Sequence, residues 1–178
     1  MKIFLIRHAT PDWSRKDIPY DIVPGPALIV KGEAEARALG NFLKCEGLKK
    51  LYYSPFERAV QTAKIVAAVN EIPFIEENGL SEWRSVAEHE AQVRTRMSSI
   101  FERAARESME LGPIGLISHG GPIAVLLLEL GFPRNELMPY RSMFDTTNPL
   151  PPAGAWKIEK VDGEDDWKFE LVFVPKVD

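Results

Sequence analysis

Cysteine occurs once in these 178 residues, at Cys45, so no intramolecular disulfide can form and a reducing compartment is expected. Long apolar runs are missing too. The longest beyond the opening strand covers residues 123–128, far below a membrane span. The amino-terminal stretch has one lysine and four apolar residues before Arg7, too few for the apolar region of a signal peptide. Basic charge is not in excess, with 22 Lys and Arg against 26 Asp and Glu and a formal net charge of −4. Neither nucleic acid nor an anionic membrane is therefore expected as a partner. These absences point to a soluble, cytoplasmic protein.

Several α/β chemistries are excluded in the same way. No Gly-x-x-x-x-Gly-Lys-Ser/Thr occurs, and no Gly-x-Gly-x-x-Gly follows the first strand, which disfavours P-loop and dinucleotide-binding functions. The nucleophile elbow Gly-x-Ser-x-Gly fails at its last position in Gly79-Leu80-Ser81-Glu82-Trp83. A zincin needs a second histidine four residues after His89, where Val93 stands, so His89 reads as a solvated helix residue. Cys45 falls toward the end of a helix with no basic group marking it as activated.

What is present has the composition of an ordinary globular domain, 45% hydrophobic and 27% charged, in a chain long enough to bury about 70% of its unfolded surface. One domain spanning residues 1–178 is expected. The opening run Ile3, Phe4, Leu5, Ile6 suits a strand buried on both faces, and it ends in Arg7 and His8. A Pro- and Gly-bearing loop follows to Pro26, then a helical pattern from about residue 28 that Gly47 ends. Residues 49–53 read as a second strand. Ser54, Pro55 and Glu57 have the spacing of a capping box, which places Arg58 in the first turn of the next helix.

A short strand at 73–76 and a charged amphipathic helix over about 86–111 come next. The strand 113–118 ends in His119-Gly120-Gly121, and an apolar helix runs from there to Leu130, closed by Gly131. Beyond Pro133 the chain reads as irregular until two strands, 155–161 and 167–174, joined by the acidic turn Asp162-Gly163-Glu164-Asp165-Asp166 as a hairpin at a sheet edge. Alternating strands and helices predict an α/β fold, three layers α/β/α around a largely parallel sheet.

Arg7-His8, Arg58 and His119-Gly120 each stand just beyond a strand's carboxyl end, and in a parallel sheet those ends share one edge. Two arginines and a helix amino terminus there could cradle a phosphoryl dianion beside an imidazole nucleophile. Taken by itself, the stretch reads more simply as Arg7 a solvated strand end and His8 a hydrogen-bonded loop residue.

These residues resemble the histidine phosphatase (phosphoglycerate mutase-like) superfamily. Arg7-His8-Ala9-Thr10 looks like its Arg-His-Gly-Glu/Thr signature, residues 54–63 are similar to its second motif, and Ser118-His119-Gly120-Gly121 to its third. The resemblance spans roughly residues 1–131 and implies phosphoryl transfer without a metal or other cofactor. It implies His8 as the nucleophile that forms a phosphohistidine, and Arg7, Arg58 and His119 as holders of the phosphoryl oxygens with the Gly120 N–H. Ser14 aligns with an asparagine that contacts phosphate in many relatives, and its hydroxyl would substitute.

Glu82 aligns with the general acid, with Glu88 in reserve because the Trp-Glu-Gly-like segment after the acid is not recognisable. Ala9, Thr10 and Ser14 depart from the usual glycine, glutamate and asparagine. The short region between Glu82 and Pro113 suits hydrolysis of a phosphomonoester or phosphoprotein better than a mutase. A phosphoglycerate mutase and a catalytically weak phospholigand-binding regulatory protein are the alternatives. Trp13, Arg15, Lys16, Trp83 and Arg84 flank the site; the substrate and oligomeric state are not legible.

Overall fold

The computed structural model describes residues 1–84, 86–144, 148–160 and 166–176. The chain begins with strand β1 (Lys2–Arg7), helix α1 (Val30–Cys45), β2 (Lys50–Tyr53), α2 (Glu57–Asn70) and β3 (Phe74–Glu76). After a 3₁₀ turn at Asn78–Leu80 come α3 (Glu90–Leu111), β4 (Ile114–Ser118), α4 (Gly120–Glu129), α5 (Arg134–Phe144), β5 (Ala155–Glu159) and β6 (Lys168–Phe173). The strands form one sheet in the order β3-β2-β4-β1-β5-β6. β1, β2, β3 and β4 run parallel, whereas β5 pairs antiparallel with both β1 and β6. The expected α/β class and largely parallel sheet are what the chain adopts.

β1 is apolar throughout because it lies near the middle of the sheet with helices on both faces. Ile3 and Leu5 point into one core cluster with residues of α3 and α4; Phe4 and Ile6 point into the other with residues of α1 and α2. The period-2 geometry of a strand thus divides four consecutive apolar residues between two cores. All four are fully buried. At about 25 cal/mol per Å² of apolar surface removed from water, each such side chain contributes roughly 1.5–3 kcal/mol toward anchoring the strand that ends in His8.

Four local expectations are corrected. Ser54 and Glu57 do not form a capping box: α2 begins at Glu57, Phe56 occupies the cap position without a side-chain bond, and the Glu57 N–H donates to Pro24 O at 2.7 Å. Tertiary contact with the preceding loop satisfies the helix end, which frees the Ser54 hydroxyl for another partner. α3 starts at Glu90 rather than 86, because the N–H groups of Ala87 and Glu88 turn back to Arg84 O, both at 2.8 Å. His89 consequently caps α3 from outside, exposed, its N–H on Gln92 Oε1 at 2.8 Å. Residues 134–144 are helical despite Pro139, since Leu137 and Tyr140, one turn apart, cover Trp156 and Phe132. Residues 162–165 of the expected acidic turn lie outside the described residues.

Candidate active site

Parallel pairing assembles the site. β1 and β4 are in register with Arg7 opposite Ser118, so the residues that follow, His8 and His119, emerge side by side with ring centroids 5.1 Å apart. The His8 N–H donates to Ser118 O at 3.0 Å and the Ser54 N–H to Ile117 O at 3.0 Å, which extends the sheet one residue past each strand. β2 leads through Ser54 into α2, whose second residue is Arg58. Three strand ends thus meet at one edge, as open parallel sheets allow.

Arg58 occupies the centre and is fully buried. Its Nε–H donates to His8 Nε2 at 3.2 Å, its Nη2 to His119 Nδ1 at 3.2 Å and to Glu82 Oε2 at 3.3 Å. Its Nη1 donates to Tyr20 O at 2.9 Å, and the guanidinium lies 4.0 Å from the centre of the Tyr20 ring and 4.6 Å from that of Phe56. A planar five-donor fork can make such a set of contacts, and a lysine cannot. Gly25, at φ +69°, passes so close that a Cβ there would come within 2.8 Å of Arg58 Nη1.

The hydrogen-bond directions assign the histidine tautomers. His8 Nδ1 faces Ala9 O at 2.8 Å; a carbonyl only accepts, so Nδ1 carries the proton and the Nε2 lone pair receives Arg58. His119 Nδ1 accepts from Arg58, so its Nε2–H donates to Ser54 Oγ at 2.8 Å. Burial pushes His8 well below the usual histidine range, and the charges of Arg58 and Arg7 push it the same way. Burial lowers His119 likewise, with His8, Arg58 and Arg7 adding to it. Glu82 moves oppositely: burial raises its pKa, against the nearby Arg58 charge and the Trp83 N–H bond. Glu82 Oε2 lies 3.3 Å from His119 Nδ1.

His8, Glu82 and His119 offer ligand atoms within 4.8 Å of one another, a donor set suited by type to a divalent ion. One guanidinium already bonds all three residues, however, so the position is filled by a cation of the chain itself.

The remaining sequence candidates divide. Arg7 is buried beside His8, with Nη1 on Leu150 O at 3.1 Å. Gly120 begins α4, where first-turn N–H groups lack intrahelical partners, and Asn148 packs so tightly on it that a Cβ would come within 1.6 Å of Asn148 Oδ1. Ser14 is not brought to the cluster: it is exposed, with its hydroxyl on Asp12 Oδ1 at 2.5 Å. Glu88 is gripped by Arg96 at 2.7 and 2.9 Å, away from the histidines, while Glu82 faces them.

A cavity of about 250 Å³ opens among Arg7, His8, Tyr20, Glu82, Trp83 and Gly120. It adjoins a larger one of about 500 Å³ that shares Arg7, Tyr20 and Asn148 and is lined further by Trp13, Arg15 and Lys16. Arg84 is exposed and lines neither of these two cavities. Sequence reasoning missed Tyr20, Ser54's bond to His119, and Asn148. Tyr20 had a signal, an aromatic in a long breaker-rich loop straight after the first strand; Asn148, among prolines, had none.

The sequence pattern of the histidine phosphatase superfamily (branch 1) matches residues 3–87. No curated protein matches the sequence. Among solved structures, a mycobacterial glucosyl-3-phosphoglycerate phosphatase in complex with VO3 is 16% identical with a TM-score of 0.74, covering 98% of this chain and 99% of its own. YhfR of Bacillus stearothermophilus is 19% identical with a TM-score of 0.73, covering 98% of each chain. At such identities the likeness concerns the fold. The pattern of the histidine phosphatase superfamily thus covers a little under half of the chain, residues 3–87, and the likeness of fold nearly all of it.

Proposed function

We propose that the protein is a phosphatase that hydrolyses a phosphomonoester, or a phosphoprotein, through a phosphohistidine on His8, without a metal. The observation that carries this reading is the bond of His8 Nδ1 to Ala9 O at 2.8 Å, which leaves Nε2 the basic nitrogen of a residue lining the cavity, its lone pair held by Arg58 Nε–H at 3.2 Å until a phosphoryl group displaces that donor. Nε2 attacks phosphorus, the bond from phosphorus to the ester oxygen breaks, and Glu82 gives its proton to the departing alkoxide. Water then attacks the phosphohistidine, Glu82 takes the water proton, and the phosphorus–nitrogen bond breaks to release phosphate and neutral His8. Arg7, Arg58 and the Gly120 N–H stabilise the equatorial oxygens in both steps, and His119 joins them as a donor when its Nδ1 is protonated.

The neighbour described as a glucosyl-3-phosphoglycerate phosphatase supports phosphate-ester hydrolysis in general. The adjoining 500 Å³ cavity supports an alcohol larger than the phosphoryl group, and its continuity with the site supports access of water. The lone cysteine supports a cytoplasmic setting.

The test is hydrolysis of p-nitrophenyl phosphate in EDTA by wild type and His8→Ala, with acid-quench trapping of a labelled phosphoryl-enzyme. Turnover and label are expected in wild type and neither in His8→Ala. Phosphate binding without turnover on any ester would replace the reading with a binding protein. Interconversion of 2- and 3-phosphoglycerate would replace it with a mutase.

A further inference from the structure

Glu35 is a buried carboxylate, 4% exposed, with no cationic partner among the described residues. It lies on α1, one turn into the helix, and both its oxygens accept from one residue: Oε2 from the Thr10 N–H and Oε1 from the Thr10 hydroxyl, each at 2.9 Å. Burying a carboxylate without a counter-charge is costly, and a glutamine could serve Thr10 with less desolvation. Simple fastening of the helix does not call for the charge.

The Thr10 N–H and the Ala9 C=O belong to the same peptide group. From the other end of that group the Ala9 carbonyl accepts the His8 Nδ1–H at 2.8 Å. A planar peptide therefore connects Glu35 to His8, carboxylate to N–H, and C=O to imidazole N–H. A negative charge on the N–H side polarises the amide and makes its oxygen a stronger acceptor, since linked hydrogen bonds strengthen one another.

We propose that Glu35 is a positioning residue for His8, acting through the Ala9–Thr10 peptide to hold the Nδ1–H tautomer and to favour the positive charge that the imidazole gains on attacking phosphorus. This rests on the reading of His8 as nucleophile. The surroundings of the peptide fit a fixed orientation. Ile29 N–H donates to Thr10 O at 3.2 Å, Ala9 N–H donates to Thr62 Oγ1 at 3.0 Å, and Gly32 lies where a Cβ would come within 2.1 Å of Thr10 O.

The ring is otherwise faced by Arg58 from α2, Arg7 from β1, His119 at the start of α4, Glu82 after the 3₁₀ turn, and the Tyr20 hydroxyl 3.4 Å from Nε2 in the loop. Burial and the arginine charges disfavour imidazolium, and the bond to Ala9 is the influence that favours it. Strengthening that bond is thus the route by which a negative charge can help His8 without touching the phosphoryl site.

The test is Glu35→Gln in the full chain, which keeps an acceptor for Thr10 and removes the charge. Turnover is read as kcat and KM, and the His8 Nδ1–H is followed by proton NMR at constant pH. A kcat lower by about tenfold is expected, the scale of outer-sphere partners of histidine in active sites, with KM little changed. The acid limb of the rate profile should move to lower pH and the Nδ1–H resonance upfield. Unchanged kcat and an unmoved resonance in folded Glu35→Gln would overturn the proposal.

If Glu35→Gln does not fold, the same readings on Glu35→Asp decide, since drawing the charge back from the peptide must weaken both. The NMR reading needs no turnover. An inactive wild type whose resonance still responds to Glu35→Gln would sink the phosphatase reading and leave the coupling standing.

Discussion

The Nε–H of Arg58 donates to Nε2 of His8 across 3.2 Å, and the same guanidinium bonds Glu82 and His119. One side chain therefore orients the proposed nucleophile, the proposed acid and the proposed oxyanion partner together. Arg58→Lys keeps the charge but supplies a single ammonium. Its kcat/KM on p-nitrophenyl phosphate should fall by about 10²–10³-fold, the range for losing a preorganised donor. Steady-state kinetics check this, and a loss under tenfold would remove Arg58 from its central role.

Rate should depend on pH as a bell bounded by His8 on the acid side and Glu82 on the basic side. His8 must be neutral to attack, and its depressed pKa places the acid limb well below the ordinary histidine value of 6.5. Glu82 must be protonated for the first step, and burial carries its basic limb above the ordinary 4.5. An alkyl phosphate, whose alcohol needs acid assistance, should show the basic limb clearly. Glu82→Gln should lose that limb together with most of its rate.

Stability should fall on acidification from a window that begins near pH 6.5. His8 and His119 have depressed folded pKa values, so below 6.5 the unfolded chain takes up protons that the folded chain refuses. Glu82, with its raised folded pKa, acts in the opposite sense between its folded value and 4.5, and it is one group against two. Thermal midpoints measured from pH 7.5 to 5 should therefore decline. His119→Asn should flatten the slope, and an unchanged slope would argue against burial of a neutral imidazole there.

Glu88→Ala should affect stability and spare the chemistry. The Glu88 carboxylate bonds Arg96 in a fork, with both side chains about four-fifths buried, and Arg96 also donates to Gly79 O at 2.6 Å. Losing a partly buried fork of this kind costs about 1 kcal/mol, or about 2–4 °C in the thermal midpoint of a chain this size. kcat within about twofold of wild type is expected, on the scale where tenfold is 1.4 kcal/mol. A collapse of kcat with the midpoint preserved would return Glu88 to consideration as the acid.

Much of the cluster was legible because its members stand directly at strand ends. A buried apolar run can be recognised locally, and in parallel strands the residues just past such runs must share an edge. Hence Arg7, His8, Arg58, His119 and Gly120 could be grouped before any coordinates. The same logic misjudged Ser54. Its spacing to Glu57 has the form of a helix cap, but the partner that holds its hydroxyl is His119, 65 residues away. Ser14 aligned with a phosphate contact, yet its own loop turns the hydroxyl to Asp12, two residues back.

The sequence by itself determined the class of fold, the central strand and the residues at its end, since hydrophobic period and segment length are local properties that burial enforces. Only the tertiary structure decided what those residues touch. Tyr20 on Arg58, Asn148 on Gly120 and Glu35 on Thr10 join positions 38, 28 and 25 residues apart through close contacts that no pattern along the chain encodes. The helix at residues 134–144 and the missing cap on α2 have the same origin. In each case packing against a distant element outweighed a local preference worth about 1 kcal/mol for a cap, or about 3 kcal/mol for a proline inside a helix.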